Sequence, residues 1–111
     1  MKILIAFIVF CLFFVKPAFS HPASKIDIAI DGKQMTVRAV HSVGNPEDHY
    51  IDSISVTLNG QKVINQIFNA QITDATQEIV YVIPSLKVGD KIVVETRCNK
   101  GGGLIKTLTV E

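Results

Sequence analysis

Three histidines and one cysteine, His21, His41, His49 and Cys98, carry the plainest chemistry in this sequence. Imidazole nitrogen and thiolate sulfur together suit zinc, copper or iron, whereas calcium and magnesium prefer oxygen. Three histidines and one cysteine around a tetrahedral ion make a closed structural zinc site. A blue-copper site needs a further histidine and often a methionine soon after the cysteine. Asn99–Glu111 contains neither. Taken singly, each residue has an ordinary reading. His41 reads as a surface loop residue and His49 as a cap or packing residue before a strand. His21 reads as a chain end and Cys98 as a small buried apolar group. Their coincidence is what points to metal, because all four fall on loops or strand ends. Hydrolase chemistry has no support, since the chain shows no nucleophile elbow, phosphate loop or placeable carboxylate pair.

The first twenty residues, MKILIAFIVFCLFFVKPAFS, form a separate unit. Lys2 precedes an apolar run from Ile3 to Val15, and Ala18-Phe19-Ser20 supplies a small-x-small cleavage site. This is the pattern of a secretory signal peptide, expected at residues 1–20 with cleavage after Ser20. The apolar run is shorter than the roughly 20 residues that a membrane span needs. The expected location is the periplasm or the exterior, with no membrane association after cleavage. Cys11 leaves with the leader, so Cys98 is the only cysteine of the remaining chain and no internal disulfide can form. Such a cysteine is a buried apolar residue, a reactive thiol, an intermolecular link or a metal ligand. Cleavage also makes His21 the first residue, whose α-amine and imidazole can chelate one ion together. Losing Lys2 and Lys16 leaves nine basic residues (11 less 2) against 10 acidic ones. A net charge near −1 gives no reason to expect nucleic acid as a partner.

The elements that must position these residues read as β throughout 21–111, a single domain. Lys25–Ile30 alternates polar and apolar residues, Asp31-Gly32 turns, and Gln34–Val40 alternates again. Ile51–Leu58 and Gln61–Phe68 flank Asn59-Gly60, the strongest hairpin signal in the chain. Glu78–Ile83 is a strand stopped by Pro84. Val88-Gly89-Asp90 leads into Lys91–Cys98, and Gly101-Gly102-Gly103 leads into Leu104–Val110. The polar stretch Asn69–Gln77 is expected to connect two sheets. About seven short strands without an amphipathic helix predict an all-β, immunoglobulin-like β-sandwich. In such a fold, loops at one end cluster. If the loop 41–49 and the residues 98–103 share an end, two imidazoles and a thiolate converge.

The stretch His49-Tyr50-Ile51, its following strand, the Asn-Gly hairpin and KVGDKIVVETRCN at 87–99 resemble the iron-binding domain of desulfoferrodoxin and neelaredoxin, the superoxide reductases. The resemblance covers about residues 21–105. It implies an immunoglobulin-like fold and a mononuclear non-haem ferrous iron with histidine ligands and an axial cysteine. It also implies an oxidoreductase that converts superoxide to peroxide and takes electrons from a donor protein. His49 matches the family's HYI histidine and Cys98 its axial cysteine. His41 matches the first loop histidine more loosely, because seven residues separate it from His49, with Asn45-Pro46 between them. His21 lies where the family has its N-terminal histidine. The family's CNxHG supplies another ligand where this chain has Cys98-Asn99-Lys100-Gly101-Gly102, so glycine replaces it. No lysine lies between His41 and His49 to attract superoxide. The turn Asn99-Lys100-Gly101-Gly102 is also similar to the Z subunit of the thiosulfate-oxidising Sox complex. That resemblance implies a metal-free, non-catalytic binding module with a Sox-type carrier subunit as partner. A third reading is a copper or zinc binder that uses the N-terminal His21.

Overall fold

The structure, a computed structural model, describes residues 21–111. The signal peptide expected at 1–20 lies outside the described residues. Among these residues there are seven strands and no helix. They are β1 (Lys25–Asp31), β2 (Gln34–Val40), β3 (Ile51–Leu58), β4 (Gln61–Ile67), β5 (Thr76–Val82), β6 (Lys91–Cys98) and β7 (Gly103–Thr109). All pairings are antiparallel, in a three-stranded sheet ordered β1-β2-β5 and a four-stranded sheet ordered β4-β3-β6-β7. This is the expected all-β sandwich. The fourth strand stays hairpinned to the third, as Asn59-Gly60 dictates. Both residues adopt positive φ there, 50° and 88°, which a two-residue hairpin turn requires.

β2, β3 and β6 have the limits read from the sequence, and the other four strands differ from that reading by one or two residues. The largest shift is at β5, which starts at Thr76 instead of Glu78. Val40 pairs with Thr76 and Ala39 with Gln77, so the ladder reaches further toward the loop than alternation alone suggested. The segment 69–77 does cross from one sheet to the other, since it joins β4 to β5.

The core follows from period-two alternation. Met35, Val37 and Ala39 of β2 face inward and are fully buried, as are Ile54, Val56, Ile92 and Val94 of the opposite sheet. Those two inward rows end on residues of the site. His41 continues 35-37-39, and Cys98 continues 92-94-96. Strand parity therefore aims a histidine from one sheet and a thiol from the other at the same end of the sandwich.

Candidate metal centre

His41 is only 1% exposed, although its position in a polar loop reads as surface. Its backbone N–H donates to Ala75 O at 2.9 Å, which keeps it in register with the crossover 69–77. Its Nδ1 lies 2.8 Å from Oε1 of Gln71. The amide of Gln71 is oriented by its other contacts. Nε2 donates to His41 O and Thr73 O, and Oε1 also accepts from Ile51 N–H. Oε1 is thus an acceptor, and His41 Nδ1–H must donate to it. That orients the ring with Nε2 on the cluster side, 2.9 Å from the carbonyl oxygen of His21, and such a bond from the other ring nitrogen is how a ligand histidine is positioned.

His49 stands two residues before β3. Asn45 shapes its loop, since Asn45 O accepts from the N–H groups of Asp48 and His49, and Asn45 Oδ1 accepts from Glu47 N–H. Asn99 then clamps this loop to the turn after β6. Its Oδ1 accepts from Tyr50 N–H, its Nδ2 donates to Asp48 O, and its N–H donates to Tyr50 O. The clamp holds His49 Nε2 3.1 Å from Cys98 Sγ. Lys100 N–H points at the same sulfur from 3.4 Å, a donor suited to a negatively charged thiolate. Burial holds His49 below the ordinary imidazole pKa. His41, His21 and Lys100 push in the same direction, and Asp48 opposes them. The neutral, metal-binding form of His49 is favoured accordingly.

His21 completes the group from the start of the described chain. Its Nδ1 faces Pro22 O at 3.1 Å, so the proton sits on Nδ1 and Nε2 is left free. Its segment is seated by Gly102, at φ +90°, where an added Cβ would lie 3.2 Å from Pro22 Cδ. The ring centroids of the three histidines are 4.6, 5.0 and 4.9 Å apart. One ring nitrogen from each lies within 4.8 Å of the other two. Tetrahedral donors about 2.0–2.1 Å from one ion stand roughly 3.4 Å apart, so closing the set takes about 1 Å of side-chain movement. Nitrogen and sulfur on one ion lie about 3.1 Å apart at a right angle and about 3.6 Å apart at the tetrahedral angle. The 3.1 Å between His49 and Cys98 falls at the short end of that range. The three histidines can hold a metal ion, and their donor set fits zinc, copper or iron.

All four residues singled out in the sequence thus meet at one end of the sandwich. Cys98 joins through His49 and stands outside the mutually close set of three imidazoles. Gly101 contributes no side chain, as its sequence position implied, and its N–H closes the turn onto Cys98 O at 2.9 Å. Gln71 was missed, because a glutamine in a polar connection carries no mark of burial. Gln77 is similar. It is 2% exposed, and its side chain holds Ile72 N–H, Ile51 O and Ala70 O. No protein-family model matches this sequence, and no curated protein matches it.

Proposed function

We propose that the chain is an exported metal-binding domain whose ion is held by His21, His41 and His49 with Cys98 as thiolate ligand, and that the ion is iron serving one-electron reduction of superoxide. The observation that carries this reading is the packing of three imidazoles around one point with no carboxylate among them. Imidazole nitrogens converging on one point with no carboxylate in the set are the donors a transition metal uses. The likeness to superoxide reductase in HYI and GDKI…CN selects iron and superoxide within that class.

In this reading the bound iron supplies the one-electron redox chemistry. The protein's part is as follows. His41 is locked by Gln71, His49 by the Asn99 clamp, and His21 by Pro22 against Gly102. Cys98 donates electron density from the sulfur that Lys100 N–H steadies. The missing loop lysine has a substitute in Lys100. Its side chain lies 3.6 Å from Asp48, and its charge already acts on His49. A cation at the rim attracts superoxide. The overall change is superoxide plus one electron from a donor protein plus two protons, giving hydrogen peroxide.

The test is metal analysis of the exported protein with its visible spectrum. About one iron per chain is expected, with a thiolate-to-iron band on oxidation that vanishes in Cys98→Ala. A Cys98→Ala protein that binds iron as tightly as wild type removes the thiolate from the centre. Zinc or copper in place of iron moves the reading to a structural or copper site. A protein that takes up no metal favours the Sox-Z-like binding module, and its carrier partner becomes the object of search.

A further inference from the structure

We propose that export processing completes this metal centre: removal of the leader after Ser20 converts the main-chain nitrogen of His21 from a peptide amide into a free α-amine, which joins the imidazoles as a donor. The inference rests on the metal reading above and adds its regulation.

The main chain of His21, and not only its ring, lies against the cluster. Its carbonyl oxygen is 2.9 Å from Nε2 of His41. Nδ1–H of His41 is committed to Gln71, so Nε2 meets this oxygen as a second N–H donor when the ring carries both protons. A metal ion bound by both atoms takes the place of that proton. The 2.9 Å spacing is that of an N–H···O hydrogen bond and equally that of two donors bound at a right angle about 2.0–2.1 Å from one ion. The carbonyl oxygen and α-nitrogen of one residue are separated by two carbons, so an ion at that oxygen closes a five-membered ring with the nitrogen.

A peptide amide has its lone pair in resonance and makes a poor ligand. A free α-amine keeps its lone pair localised on nitrogen and is a good donor to zinc, copper or iron. The position is also held. Pro22 packs on Gly102, and Ser24 N–H donates to Val40 O at 2.8 Å. Pro22 further restricts the backbone of His21. A chain beginning at His21 therefore starts on the site, while the precursor lacks one donor. The ion is taken up after export.

The test compares two proteins produced from the full-length gene with its own leader and collected after export. One is wild type. The other has a single alanine inserted between Ser20 and His21, which keeps every side chain of the site. Mass spectrometry fixes each N-terminus, and competition with a chromophoric chelator measures Zn²⁺ affinity. The inserted alanine is expected to weaken Zn²⁺ binding by at least roughly tenfold, with the apoprotein melting temperature unchanged. Equal affinities overturn the inference and leave the metal reading standing. A wild-type chain not cut before His21 also overturns it. Failure of wild type to bind Zn²⁺, Cu²⁺ or Fe²⁺ overturns both.

Discussion

At the scale of single residues, the four groups differ in how firmly they are held, and that order predicts which substitutions matter for what. Gln71 uses both amide hydrogens and its oxygen on four partners within 3.1 Å. Gln71→Leu strands Ile51 N–H, His41 O and Thr73 O in a buried place. Each such group costs about 1–3 kcal/mol, so urea denaturation should show a loss of about 3 kcal/mol or more. Gln71→Leu also removes the acceptor for His41 and should weaken metal binding by roughly 10–100-fold, whereas Gln71→Glu keeps that acceptor and should retain binding. Unchanged metal affinity in both variants would show that Gln71 only braces the loop. Thr96 makes a contrasting case. It is fully buried one inward step from Cys98, and its hydroxyl has no partner among the described residues. Thr96→Val has nearly the same shape and should stabilise the fold by about 0.5–1 kcal/mol. A destabilised Thr96→Val in the same measurement would mean the hydroxyl has a partner in solution.

At the scale of elements, the strands and the hairpin were legible because alternation and Asn-Gly are local signals. KIDIAI, QMTVRAV, IDSISVTL and KIVVETRC each state their inward face in the order of their residues. The same parity points His41 and Cys98 inward, since they stand two residues beyond Ala39 and Thr96. Treating 41–49 as a loop from its first residue hid this for His41. The crossover 69–77 stayed illegible for a different reason. Its burial depends on Gln71 and Gln77 reaching partners 20 to 30 positions away, and no local pattern records that. The glycine run was read as a missing ligand, yet its positive φ values and the Pro22 contact show a seat for the N-terminal segment. Gly102→Ala forces a side chain into a φ of +90° and against Pro22. A loss of about 1–2 kcal/mol is expected from such backbone strain, together with weaker metal binding as His21 is displaced. Retained affinity in Gly102→Ala would show that the seat does not govern His21.

At the scale of the molecule, the metal end joins both sheets and the N-terminal segment, so an ion there ties together parts distant in sequence. Zinc at about 100 times its dissociation constant adds about 2.7 kcal/mol to the folded state. For a domain of this size that raises the melting temperature by roughly 10–20 °C, and a chelator should reverse the rise. The far end depends on Asp90 instead. Its carboxylate accepts from Asn59 Nδ2, Lys87 N–H and Lys87 Nζ. The Asn59 hydrogen bond above all, with those from Lys87, holds it below the usual carboxylate pKa against the opposing effect of burial. The folded state then binds this proton less readily than the unfolded chain. Stability from Asp90 is full above the unfolded value of about 3.9 and is lost as pH falls through the folded one. Urea midpoints of wild type should therefore drop on acidification below about pH 4, and Asp90→Ala should flatten that drop.

Asn59 and Asp90 lock the hairpin at one end of β3 and β6, and the histidines gather at the other. The two ends therefore loosen under different solvents. Amide hydrogen exchange should show the 41–49 and 98–102 amides quickening when a chelator is added. The amides around 59–60 and 87–91 should lose protection, relative to their intrinsic exchange at the same pH, only in acid, with the strands between them the last to exchange.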